Sequence, residues 1–180
     1  GEEKAAENIL QVDEFRSLVE AVAREGELDA TERALIYNLL EAGDTEIVEA
    51  MTPRIRVDFI DGELPVDEMV DCFRKLQHPR VPLFSGHRDN LVGFLHAEDV
   101  LRLVMDKVDL TTLDPAGIIR PPVVVPPTKR VDEMFEFFQD NNARAAIVLN
   151  EFGGVDGIIT MKDVLTFIFG QIIGQIKGSE

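Results

Sequence analysis

Val66-Asp-Glu-Met69 opens a helical stretch, and the same four letters return 65 positions later as Val131-Asp-Glu-Met134. The correspondence continues down the chain: Phe73 matches Phe138, and after a one-residue slip Arg80 matches Arg144 and Gly93 matches Gly157. Asp99-Val-Leu101 then matches Asp163-Val-Leu165, 64 positions on. Identity at the start, middle and end of a unit, nearly in register, marks a duplication. Each copy is only about 50–60 residues, which is marginal for a core of its own. Two copies packed together bury the faces that one leaves open, so the repeat predicts a pseudo-twofold pair with two related clefts.

The texture within each copy is mixed. Alternating and β-branched runs at Val57–Ile60, Val81–Phe84 and Leu91–Leu95 interleave with helical periodicity at Val66–Leu76 and Ala97–Met105. The second copy repeats the order with Val123–Val125, Val131–Asn141, Ala145–Leu149, Val155–Thr160 and a helix from Lys162. Strand signals separated by helix signals predict an α/β (α+β) fold. Ahead of the copies, Val12, Phe15, Leu18, Val19 and Val22 follow one helix face that Gly26 stops. Asp29-Ala-Thr-Glu32 is a capping-box-like start for a second helix, whose apolar face is Leu35, Ile36, Leu39 and Leu40 and whose end is Gly43. The predicted organisation is an acidic α-hairpin over 1–50, modules over 51–112 and 113–170, and a tail over 171–180.

The charge balance narrows the partners. The chain carries −16 at neutral pH, which argues against nucleic acid and anionic membrane surfaces. Residues 1–50 hold 14 acids and 4 bases, so most of that charge sits on the leading hairpin, where a solvated face accounts for it. The lone Cys72 excludes an internal disulfide and reads as a small core thiol. His78, His87 and His96 are scattered, without zinc-ligand spacing. No run reaches the roughly 20 apolar residues that a membrane span needs. The chain reads as a soluble piece that begins and ends in helical sequence, as if cut from something longer.

The sharpest chemical element is Gly157-Ile-Ile-Thr160-Met-Lys-Asp163, a buried strand running into a helix. A helix N-terminus offers unpaired N–H groups and the positive end of the dipole, a natural place for phosphate. Thr160 could bond phosphate or ribose, and Asp163 could accept from ribose hydroxyls. Thr-x-x-Asp is equally a capping-box variant, and spacing alone leaves both readings open. The first copy reads His96-Ala-Glu-Asp99, keeping the acid and losing the Thr, so His96 and Asp99 mark a weaker second site. Met51-Thr52-Pro53-Arg54 is a second element: Pro53 forces Thr52 towards extended geometry, and Arg54 or Arg56 could meet phosphates, or the stretch is a plain linker. Arg80 and Arg144 start the middle strands, as a phosphate contact or as edge charge. Asn150-Glu-Phe-Gly-Gly154 reads as a turn with its glycines at positive φ. With no nucleophile–base arrangement, serine elbow or His-Glu-x-x-His, the residues predict a protein that is not an enzyme.

With these motifs in view, the chain resembles a tandem CBS (cystathionine-β-synthase-type) domain pair, two pseudo-symmetric βαββα modules. It is most similar to the pair in the CorC/haemolysin-like magnesium and cobalt efflux family. Met51-Thr-Pro-Arg54, Arg80-Val-Pro-Leu-Phe84, Asn90-Leu-Val-Gly93, Asn150-Glu-Phe-Gly-Gly154 and Gly157-Ile-Ile-Thr-Met-Lys-Asp163 carry the resemblance. It implies a regulatory module for AMP or ATP, with or without Mg²⁺, at the cytoplasmic face of a membrane transport protein. It implies that Thr160 and Asp163 hold ribose and phosphate, that Thr52, Arg54 and Ile55 line the same cleft, and that Ile158 and Ile159 lie near the base. A homodimer by stacking of two pairs and an attached membrane domain are the implied partners. A ligand-free dimerisation scaffold is the alternative. Thr166 to Ile176 is more apolar than the family's acidic tail helix, and Phe167, Ile168, Phe169, Ile172 and Ile173 are expected to form an interface.

Overall fold

A computed structural model describes residues 17, 20, 21, 24–26 and 28–177, with side chains to residue 170. The expected helix face Val12, Phe15, Leu18, Val19 and Val22 and the side chains of Ile172 and Ile173 lie outside the described residues. The chain forms two compact units, one from 1–50, 128–142 and 161–180, the other from 51–127 and 143–160.

The first unit is helical. Helix α1 (Ala30–Asp44) starts where its sequence says: the Asp29 side chain accepts from the Glu32 amide at 2.8 Å, satisfying one of the orphan N–H groups of the first turn. Its buried face differs from the expected one. Asn38 and Ala42 are inside, whereas Leu39 is half exposed. The exchange has a local cause: buried Asn38 donates its amide to the Ile168 carbonyl at 2.8 Å, so the polar side chain is satisfied where it lies. A short turn of 3₁₀ helix, Ile47–Glu49, follows. Two backbone bonds tie this connection to the start of the helix Val131–Asp140: Ile47 N–H to the Lys129 carbonyl (2.8 Å) and Val131 N–H to the Thr45 carbonyl (2.9 Å). Ile47, Val131, Met134, Phe138, Val164 and Ile168 are buried. Ile168 is thus a core residue and not, as its apolar neighbourhood suggested, part of a free interface, because the helix it sits on, Met161–Lys177, turns it inward.

The second unit holds two small sheets. In chain order its elements are β1 (Thr52–Pro53), β2 (Ile60–Asp61), α2 (Val66–Leu76), β3 (Arg80–Ser85), β4 (His87–His96), α3 (Ala97–Met105) and β5 (Val124–Val125). With Val131–Asp140 as α4, there follow β6 (Ala145–Leu149), β7 (Val155–Thr160) and, in the helical unit, α5 (Met161–Lys177). One sheet runs β2-β3-β4 and the other β1-β7-β6-β5. The duplication is visible in the registers: β2 lies parallel to β3 with Ile60 beside Leu83, and β5 lies parallel to β6 with Val124 beside Ile147, each shifted by 64. β3 and β4 then pair antiparallel, as do β6 and β7. Buried Val66, Met69, Val70 and Phe73 of α2 pack on Val81, Leu83 and Leu95, with half-buried Cys72 against this core. A second cluster gathers Phe94, Ala145, Ile147, Val155 and Ile158.

The expected strand at Val57–Ile60 shrinks to Ile60–Asp61, because only Ile60 and Asp61 pair with β3, beside Leu83 and Phe84; a 3₁₀ turn (Arg54–Arg56) precedes it. In the 150–154 turn Gly153 has φ of 81°, but Gly154 is not in the left-handed region. The Asn150 side chain supplies the rest of that turn by accepting from the Phe152 and Gly154 amides, both at 3.0 Å.

Candidate functional site

The lead-in segments of the two copies are exchanged. β1, which precedes the first copy, pairs antiparallel with β7 of the second, placing Thr52 opposite Ile158 and Pro53 opposite Gly157. Reciprocally, Arg120, which precedes the second copy, bridges Phe94 of β4 with two backbone hydrogen bonds of 2.9 Å. The approach is close in both places. A Cβ at Gly157 would collide with the Thr52 carbonyl oxygen, and one at Gly93 with the Arg120 carbonyl oxygen. Only glycine admits a backbone at that range, which explains why both copies keep it.

The exchange brings two motifs some hundred residues apart into contact: Thr52 lies beside the strand that ends in Thr160. Thr160 closes β7 opposite Ala145, and Asp163 falls in the first turn of α5, where the helix dipole favours a carboxylate. Ile158 packs in the core and Ile159 is fully buried, whereas Ile55 is 92% exposed. Arg54 is already engaged, its guanidinium pairing with Asp89. Asp89 also accepts from the Val155 amide at 3.1 Å, so one carboxylate braces Arg54 and the start of β7. Those bonds, the amide's first and then Arg54's attraction, hold the Asp89 carboxyl below the usual carboxylate range against its partial desolvation. Sequence reasoning passed over Asp89, since nothing local distinguishes it from any polar residue at a hairpin.

The first copy's counterpart is differently furnished. Arg120 forks onto Asp99, Nε to Oδ2 at 2.7 Å and Nη2 to Oδ1 at 3.0 Å, and reaches Glu98 at 3.2 Å. The pairing pushes Asp99 below and Arg120 above their ordinary values. His96, at the position of Thr160, is buried. Burial first, then the Arg120 and Arg80 charges, lower its pKa to about 4 against the opposing pull of Asp99 and Glu98, so it is neutral at pH 7. Its Nδ1 lies 3.6 Å from Glu98, beyond hydrogen-bond reach, and together with the buried Arg80 Nε has no partner among the described residues. Burial and the nearby Arg144 push Arg80 down from its ordinary value.

Among the described residues no three His, Cys, Asp or Glu side chains converge as a metal site, and no helix is long and apolar enough to cross a membrane.

The sequence profile of the CBS domain family matches residues 46–106 and 116–170. The magnesium and cobalt efflux protein CorC of Pasteurella multocida is 35% identical over 153 residues, 85% of this chain and 50% of that protein. The chain thus spans about half the length of the curated relatives it matches. The solved CBS domain of a bacterial CNNM/CorC family Mg²⁺ transporter superimposes with a TM-score of 0.80 at 28% identity, over 88% of this chain and 95% of that one. A solved CBS domain of a bacterial CNNM/CorC family Mg²⁺ transporter in complex with ATP matches at 31% identity and a TM-score of 0.71, over 77% of this chain and 97% of that one. With the duplicated sheets, the exchanged lead-in strands and these matches together, the chain belongs to the CBS domain family, as a CBS pair of the CNNM/CorC type.

Proposed function

We propose that this CBS pair is the adenine-nucleotide-sensing part of a membrane-associated Mg²⁺/Co²⁺ transport or efflux protein, acting at the cytoplasmic face and carrying no catalytic step. The observation that supports it best is the pairing of β1 with β7. A helix cap at Thr160 would not need Thr52 delivered beside the same strand. Thr160 and Asp163 offer hydroxyl and carboxylate for ribose and phosphate, Thr52 adds a hydroxyl, and exposed Ile55 can cover an adenine face. Ile158 and Ile159, being buried, serve as the floor that holds β1 in place. Arg54 reaches a phosphate by leaving Asp89, an exchange of one charge-assisted bond for another. The solved relative that holds ATP supports the same ligand class.

The ligand acts by binding one arrangement of the pair better than another, and so biases an attached membrane domain. Calorimetry with AMP and ATP, each with and without Mg²⁺, tests this. Binding is expected, and Asp163→Ala should weaken it at least tenfold; unchanged affinity in that variant removes Asp163 from the site.

A second reading, a ligand-free dimerisation scaffold, draws on a different feature. Leu101 and Met105 of α3 are 59% and 71% exposed, and the corresponding Leu165 and Phe169 of α5 are also exposed. Matching apolar positions on both helices suit a homodimer of stacked pairs. A dimer that persists in sedimentation while neither nucleotide shifts thermal unfolding would favour that reading over the first.

A further inference from the structure

The exchanged lead-in strands define which residues are equivalent. Thr52 faces Ile158 and Arg120 faces Phe94, and Phe94 and Ile158 are themselves 64 positions apart in the repeat. Arg120 therefore stands in the first copy where Thr52 stands in the second. By the same shift His96 stands for Thr160 and Asp99 for Asp163. Of the second copy's three polar positions, the first copy has replaced both hydroxyls, one by a guanidinium and one by a buried imidazole.

Arg120 is fitted to the acids of its own copy. The Arg120 backbone is fixed to β4 by bonds in both directions with Phe94, so its Cα cannot move off without opening that bridge. From there the guanidinium makes a two-pronged contact with Asp99 and a third bond to Glu98. A bidentate pair of this kind is among the strongest side-chain hydrogen-bond arrangements, and ribose hydroxyls, being neutral donors, are weaker competitors for the same oxygens. His96 lies beside it with no exposed face to offer a ligand.

We infer that Arg120 is a built-in occupant of the first copy's site, holding Asp99 in place of a nucleotide, so that the pair takes one nucleotide per chain instead of two. This rests on the nucleotide reading above and adds to it the residue that decides which copy binds. The first copy's carboxylate is thereby held by the chain's own arginine, and the asymmetry of the pair is written in Arg120 and His96.

The test is nucleotide stoichiometry, by calorimetry with AMP and ATP, of the wild-type chain and of the double variant Arg120→Thr/His96→Thr, which rebuilds the second copy's residues in the first. The double variant is expected to take one more nucleotide per chain than wild type. An unchanged count in a double variant that keeps the wild-type circular dichroism overturns the inference. A wild-type count of zero would count against the nucleotide reading, and the inference is then judged by whether the variant gains its first site. Nitrogen–proton correlation spectra of the wild-type chain provide a readout that does not depend on the variant's folding. Saturating AMP should shift the Gly157 resonance and leave Gly93 in place, and parallel shifts at both glycines would overturn it.

Discussion

The two copies share a backbone plan and differ in what they do with it. Each has a parallel strand leading to an antiparallel pair, a glycine under a crossing chain, and a helix whose first turn carries an aspartate. At the crossing chain the second copy presents Thr52, and its junction carries Thr160. The first copy presents Arg120 and buries His96. A duplicated fold thus preserves the residues that its backbone geometry demands and frees the side chains at the strand–helix junction to diverge. The first copy has used that freedom to satisfy its own carboxylate, and the second retains hydroxyls.

The largest expected effects test the shared part. Gly93→Ala and Gly157→Ala each force a Cβ against a backbone carbonyl and should cost about 4 kcal/mol in urea unfolding. Gly93 should lose more, since its φ of 153° adds strain for any side chain. A loss below about 1 kcal/mol at either would break the claim that the exchanged strands are tightly apposed. Next come Met69→Ala and Met134→Ala, the repeated methionines of α2 and α4. Both are wholly buried, and each should cost roughly 3–4 kcal/mol. Unequal losses would show that the two copies do not pack their repeated helix equally well.

The third prediction probes the difference. His96 has a folded pKa near 4, below the ordinary 6.5, so as the pH falls the unfolded chain takes up this proton before the folded chain does. Its contribution to stability is therefore complete above pH 6.5 and is lost as the pH falls towards 4, by on the order of 2–3 kcal/mol. His96→Thr should flatten the stability profile in that window, and a slope that survives the substitution would assign the effect elsewhere. The smallest effect concerns the ends of the paired helices. Gln77 (φ 57°) and Asn142 (φ 47°), 65 positions apart, both sit in the left-handed region. Gln77→Gly should stabilise the chain by about 0.5–1 kcal/mol, and Asn142→Gly by less, because Asn tolerates that conformation better.

What could be read from the sequence follows the range of the interactions involved. The helices Val66–Leu76 and Ala97–Met105 and the strands Ala145–Leu149 and Val155–Thr160 have the predicted bounds, because apolar periodicity and the repeat are local signals. A two-residue strand has no period, so β1 was legible as an extended linker and its pairing with β7 was not. The Arg54–Asp89 and Arg120–Asp99 pairs were hidden for a similar reason: the partners are 35 and 21 residues apart, and only the folded sheets bring them together. Asn38 took the place expected of Leu39 because a carbonyl on a distant helix turn offered it a partner. The junction at Thr160 and Asp163 was legible since it is contiguous, and its first-copy counterpart was recognisable as altered from His96 alone.

The central claim is that one copy binds adenine nucleotide and the other is filled by its own arginine. Titrating the wild-type chain with ATP and AMP and counting the bound nucleotide tests it most directly. One nucleotide per chain is expected for the ligand that binds, and two per chain, or none of either, would contradict the claim.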